Sequence, residues 1–374
     1  MYAFLPSTAI FRMKKSSRTY LPIVLLLANL LLFLLSNYSH FADNQYLEII
    51  YPTVSYVLRS FSALAPFSMG DVLYGLAFLL GFYSLIKFIK LLFNKESWIN
   101  SIVWQKMIGL INLLLAIYLI FQIFWGVNYY QSSLAKKFQL HTEAYTIGDL
   151  VKLNQILIQD ANELRQQLPD SIIHQHIDFN MLRFKTIDAF EITSGSYPLL
   201  RYTEPSLKSS MFSRQLSYWG ISGYYNPFTG EAQVNTDMPD FIQPFVACHE
   251  VAHQLGFARE NEANFIGYLA ASNSRNVRIR YAAAFEMMLY ANRSLHYADS
   301  AAALRFRQQM DTAVKKDIQL LKEFSASHRS VLEPVTDKLY EWFLQYHGQP
   351  KGLMTYEMVT VFLISHFKQQ GRMK

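Results

Sequence analysis

With 374 residues, the chain has room for a membrane part and one globular domain of ordinary size. Hydrophobic residues make up 51% and charged ones only 17%, below the quarter or so usual in soluble domains, a balance that points toward lipid. The net charge of +6 comes from scattered Lys and Arg in no nucleic-acid-binding motif, so no nucleic acid is expected as a partner, and a single cysteine excludes a disulfide framework or a cysteine metal cluster.

Three uncharged apolar stretches stand in the first third: Leu21 to Tyr38, Val72 to Ile86, and Met107 to Tyr130. The second extends to Phe93 if Lys87 and Lys90 snorkel. Each then approaches the roughly 20 residues that cross a bilayer as a helix. The expectation is a membrane anchor over residues 1–130 with transmembrane helices near 21–38, 72–93 and 107–130, the last flanked by Trp104 and Trp125 at interfacial positions. Arg12, Lys14, Lys15 and Arg18 precede the first span, and Lys87, Lys90, Lys95 and Lys106 lie between the second and third. The connection from Ser39 to Asp71 carries Asp43, Glu48 and Asp71 against Arg59 alone. This asymmetry predicts a cytoplasmic N-terminus and an extracytoplasmic domain after Tyr130. A cleaved signal peptide is the competing account of the first span, and no small-x-small site follows it.

Residues 131–374 return to mixed polar and apolar character and read as one mainly helical domain. Thr146 and Asp149 have the spacing of a capping box, and Ile147, Leu150, Val151 and Leu157 follow near helical period up to Pro169. A second helical region is expected from Ser300 to Phe367, broken at Pro334 and at Gly348 to Gly352. Between them, Ile221 to Tyr225, a turn at Asn226 to Gly230, and Glu231 to Thr236 read as a β-hairpin.

Just downstream, Asp240 is the expected cap of a helix with Gln243 three residues on, Pro244 in its first turn and Gly256 as its stop. That helix holds the string HEVAH. His249 and His253 are four apart, so both imidazoles project from one face, the spacing needed to grip one ion. Glu250 sits beside the first histidine, placed to take a proton from a water without being a ligand. A zinc site needs a third protein ligand, and a second helix after Gly256 offers Glu260 and Glu262, about 200° apart around its axis. Glu260 is favoured because it shares a face with Ala263, Asn264 and Gly267, small enough for close approach to the HEVAH helix; Glu262 is the alternative. Asn264 is placed to hydrogen-bond a ligand histidine. Cys248, about 100° around the helix from His249, reads as a small core residue, and His174 and His176 as surface histidines. Tyr224, Tyr225, Tyr268 and Tyr281 are candidates for stabilising an oxyanion, with no spacing rule to choose among them.

Glu260-Asn-Glu-Ala-Asn264 resembles the ExxA(D/N) signature of gluzincin-type membrane proteases of the CaaX-prenyl-protease class and of the soluble metallopeptidases that cleave phage repressors. In those families the first glutamate is the third zinc ligand, a role that falls on Glu260 here. The six residues between His253 and Glu260 are fewer than those families have, and the metzincin pattern with a similarly placed glycine would need histidine at Arg259. Across nearly the whole chain, PFTGEAQVN, HEVAHQLGFARENEANFIGYLA and the three leading spans resemble a bacterial membrane family of unknown function suspected to contain metallopeptidases. The resemblance implies a multi-pass protein of the bacterial cytoplasmic membrane: an α-helical membrane part with three transmembrane helices, followed by a mainly α, α+β zincin-like domain. It implies a Zn2+ cofactor and hydrolysis of a peptide or protein substrate, with a strand near the HEVAH helix expected to pair with that substrate. The rival expectation is a membrane-anchored interaction protein that keeps the fold without hydrolysis. A site inside the bilayer is disfavoured, because HEVAH lies more than a hundred residues beyond the last span.

Overall fold

The computed structural model describes residues 8–38, 40–93, 102–142, 145–330, 333–346 and 358–373, and most of them are helical. Helices α1 (Thr8–Ser36), α2 (Tyr51–Ala63), α3 (Met69–Leu92) and α4 (Ile102–Phe124) form the first third. Two segments, Met69–Lys90 and Trp104–Phe124, are long and apolar enough to cross a membrane. A third exists if Tyr20–Ser36 and Phe41–Ala63, bent by 109°, count as one broken span. The helix over the third apolar stretch ends at Phe124, short of Tyr130, because the backbone breaks at Trp125 (φ −150°) and Gly126–Tyr130 continues as a 3-10 turn. The aromatic residues there are drawn inward: Trp125 and Tyr129 are buried. Lys95 and the expected break at Gly348 to Gly352 lie outside the described residues.

The segment read as a connection between the first two spans is helical. A π-helical stretch, Phe41–Ile50, leads into α2, which has Pro52 in its first turn. α2 is turned inside out: Tyr51, Ser55, Arg59 and Ser62 are buried against the globular part, while Tyr56, Val57, Phe61 and Leu64 are exposed. The start of α3 is held by the globular part as well. Glu231 accepts hydrogen bonds from the backbone N–H groups of Met69 and Gly70, satisfying donors that a helix start otherwise leaves orphaned. Asp71 in turn accepts from Ser210, Tyr224 and the N–H of Met211.

In the globular part, the capping box forms as its sequence predicts. Thr146 Oγ1 accepts from the Asp149 N–H and the Asp149 carboxylate accepts from the Thr146 N–H, opening α5 (Ile147–Gln166). Its apolar face, with Leu150, Leu153 and Leu157, is buried in the main core beside α9 (Val277–Ala298). Between them come α6 (Phe179–Ser194), the sheet, α7 (Gln243–Gln254) and α8 (Glu260–Ser272). The hairpin is present as β2 (Gly223–Asn226) antiparallel to β3 (Glu231–Val234), and β1 (Leu207–Ser209) adds parallel to β3, giving the order β1-β3-β2. β3 is therefore central and wholly buried, and β2 is an edge strand among the described residues. After α9, the C-terminal helices are α10 (Ser300–Gln309), α11 (Thr312–Ser327), α12 (Glu333–Tyr346) and α13 (Val359–Gln369). Pro334 falls in the first turn of α12, where its missing N–H costs little, and so marks the break that the sequence signals.

Candidate metal centre

The helix that carries HEVAH begins at Gln243 with Pro244 in its first turn, but Asp240 does not cap it. Ile242 holds the cap position, and the Asp240 carboxylate instead accepts from the Ile177 N–H, tying down the approach to α6. The stop is as expected. Gly256 has φ +98°, a left-handed conformation that costs glycine little, the Gly256 N–H bonds the His253 carbonyl, and the Phe257 N–H reaches back to Ala252. This pair of bonds reverses the chain tightly enough for α8 to start at Glu260 and pack along α7. A Cβ on Gly267 would sit 3.1 Å from the backbone N of His249, so glycine eases the close approach at that crossing.

That approach brings three side chains together. Glu260 Oε2 lies 3.3 Å from His249 Nε2 and 3.5 Å from His253 Nε2, and the three candidate ligand atoms all fall within 4.8 Å of one another. Tetrahedral zinc with bonds of roughly 2.0–2.1 Å sets its ligand atoms about 3.3–3.4 Å apart, so these donors fit the ion in type and spacing. His253 and Glu260 are buried and His249 nearly so. His253 Nδ1 is 2.8 Å from the Phe257 carbonyl; as an N–H donor there, it leaves the Nε2 lone pair aimed at the cluster. Burial would raise the Glu260 carboxyl, but the two histidines outweigh it and hold the group well below the usual carboxylate range.

Glu250 points into the same space. Its Oε2 is buried without a hydrogen-bond partner, and burial, moderated by the histidines, pushes its carboxyl up to about 7. On the other side stands β2: a Cβ on Gly223 would lie 2.7 Å from Glu250 Oε1, so the glycine makes room for the carboxylate.

Glu262, the alternative ligand, faces away. It accepts from the Leu134 N–H at 2.8 Å and from Arg259 at 3.0 Å, fastening the start of α8 to the chain that follows the last span. Asn264 bonds neither histidine. Its Nδ2 is buried without a partner near the Tyr290 hydroxyl, and the Phe257 carbonyl takes the orienting role expected of it. Cys248 is a fully buried core residue. His174 pairs with Asp317 and His176 with Asp240, both outside the cluster. The four tyrosines singled out from the sequence are engaged elsewhere: Tyr224 with Asp71, Tyr281 with Asp317, Tyr225 against Trp125, and Tyr268 beside Arg372. A tyrosine that reaches the cluster is Tyr340 of α12, whose hydroxyl donates to Glu260 Oε1. Tyr129 lies close enough to feel the Glu260 charge, and Trp125 meets the His253 ring edge to face at 6.1 Å. No spacing in the sequence links Tyr340 to HEVAH; only the return of α12 over the site does.

Among the described residues the chain is thus mostly helical, with two or three membrane-length apolar helices, a small mixed sheet and a largely buried cluster of two histidines and two glutamates. It belongs to the family described as "Protein of unknown function (DUF3810)", whose model matches residues 46–364. No curated protein and no solved structure matches it.

Proposed function

We propose that this chain is a membrane-anchored zinc-dependent metallopeptidase. The observation that carries the reading is the approach of Glu260 Oε2 to within 3.3 and 3.5 Å of the two Nε2 atoms, with the unpartnered Glu250 carboxylate beside them. His249, His253 and Glu260 would hold the ion through one atom each, leaving the open position that a catalytic zinc site keeps. Bound there, zinc supplies a Lewis acid that polarises a carbonyl and acidifies a water. Glu250 would serve as the base that accepts a water's proton and returns it to the leaving amine, a task suited to a carboxyl that burial has raised toward neutrality. The outer edge of β2, which runs past Glu250 at Gly223, offers backbone groups for an extended substrate to pair with.

The same reading has the N-terminus in the cytoplasm and the globular part on the far side of a bacterial cytoplasmic membrane. It is supported by the basic Lys87, Lys90 and Lys106 at the ends of α3 and α4 remote from the globular part, against Asp71 and Glu231 at the near end. A reporter fused to the C-terminus tests it, and a cytoplasmic signal would overturn it.

For the chemistry, the decisive variant is Glu250→Gln in the purified full chain, assayed for zinc content and for peptide hydrolysis. Hydrolysis is expected to fall to background with zinc retained; unchanged turnover would sink the mechanism.

A further inference from the structure

One helix touches the end of the HEVAH helix, another touches the cluster itself, and both carry apolar side chains on their outer faces. The first is α2, whose buried face holds Ser55, Arg59 and Ser62 while Tyr56, Val57, Phe61 and Leu64 are 51%, 56%, 69% and 81% exposed. Its Tyr51 hydroxyl donates to the Gln254 carbonyl at the end of the HEVAH helix. The second is α12, where Tyr340 donates to Glu260 and Phe343 packs on Tyr129. Its outer stripe, Val335, Leu339, Trp342 and Tyr346, recurs at helical spacing and is 53%, 64%, 66% and 55% exposed. On α2 a polar face turned inward and an apolar face turned outward is the reverse of what water selects and what lipid favours, while α12 packs Phe343 and Leu344 inward and still leaves its apolar stripe outside.

Both helices are continuous with the membrane spans. Tyr46, just before α2, donates to the carbonyl of Ile123 in the last turn of α4. Phe343 meets Phe121, and Tyr346 is hydrogen-bonded to Tyr118, six residues inside the end of α4, or about 9 Å along its axis. The exposed stripe therefore extends the apolar surface of α4, where Leu113, Leu114, Ile117 and Ile120 face outward. Trp342 and Tyr346 are residue types that favour the headgroup layer.

We propose that the cluster works at the depth of the bilayer headgroups, with α2 and α12 facing lipid, and that its substrate is a polypeptide held in that same layer, such as the segment flanking a transmembrane helix. The substrate class rests on the peptidase reading; the placement does not. With the cluster at that depth, a chain already anchored in the same layer arrives at high effective concentration.

The test uses the full chain in phosphatidylcholine vesicles, with nitroxide labels on Val57→Cys, Leu339→Cys and, as the aqueous reference, Arg275→Cys, whose side chain is 81% exposed. Cys248 is buried, and the unsubstituted chain sets the background labelling. At Val57 and Leu339 the ratio of oxygen to water-soluble nickel collisions is expected to exceed that at Arg275 by about fivefold, as for side chains in an interfacial lipid layer. Values at both sites equal to the reference would overturn the placement. A second arm compares a transmembrane peptide library with a randomised flanking segment against the same flanking sequences free in solution. Cleavage of the anchored set is expected to be about tenfold faster, and equal rates would overturn the substrate class. Labels read in the Glu250→Gln protein report depth with hydrolysis switched off. Absence of cleavage in both sets then counts against the peptidase reading and its substrate class, while lipid-exposed labels still uphold the placement.

Discussion

Tyr51 donates its hydroxyl proton to the carbonyl of Gln254 at 2.9 Å, joining a helix that precedes the second span to the end of the helix that carries both histidines. Ser55 reaches the same carbonyl from one turn further on. The helix that carries the histidines is thereby fixed to α2 as well as to α8. Tyr51→Phe removes one of these donors from a buried carbonyl, a loss of roughly 1–2 kcal/mol. A thermal midpoint lowered by a few degrees in detergent, with zinc content unchanged, is the expected result, and an unchanged midpoint would refute the role given to this bond.

Glu260 and Glu262 are two residues apart and do different work. Glu260→Ala is expected to lose zinc, because the cluster keeps only its two histidines. Glu262→Ala should keep zinc at full stoichiometry, measured by atomic emission, yet lose roughly 1–3 kcal/mol of stability through the unpaired Leu134 N–H and the lost ion pair with Arg259, which keeps its bonds to the Tyr129 and Gln131 carbonyls. Zinc lost from the Glu262 variant alone would show that the ligand assignment is reversed.

Gly223 and Gly267 separate base from ligands. Gly223→Ala places a methyl 2.7 Å from both Glu250 Oε1 and the Gln233 carbonyl of β3, and should abolish hydrolysis and loosen β2 while zinc is retained. Gly267→Ala presses on the backbone of His249 and should weaken zinc binding and cost roughly 1–3 kcal/mol, since overpacking there moves one helix against the other. Metal titration of the two variants distinguishes them; equal zinc affinity in both would contradict the assignment.

Acid should weaken the start of α5. The Lys368 ammonium, with the capping-box bonds of Thr146, lowers the Asp149 carboxyl from 3.8 to about 2. A carboxyl depressed by folding stabilises the fold above its unfolded value, and that contribution fades as pH falls from about 4 toward 2. In Asp149→Asn the thermal midpoint should be lower near neutrality and fall less across that window. Parallel curves for the two proteins would count against the pairing.

Much of this was legible in the chain because it rests on local rules. The capping box at Thr146, the hairpin around Asn226 to Gly230, the stop at Gly256 and the four-residue spacing of the histidines all depend on residues close in sequence, whose backbone and side-chain geometry nearby neighbours dictate. Asp240 shows the limit of such reasoning: its side chain had the right offset for a cap, but a partner 63 residues away, Ile177, took it.

The composition and the order of residues by themselves determined a helical chain with membrane-length apolar segments, and HEVAH with a glutamate-bearing helix after it. Only the tertiary structure decided which glutamate turns to the histidines, which tyrosine reaches them, and that a supposed connection is an inverted helix against the site. Those outcomes depend on side chains 80 to 203 residues apart, Tyr340 on Glu260 and Tyr51 on Gln254, meeting across packed helices. Helical period tells which residues share a face, but not what that face will meet.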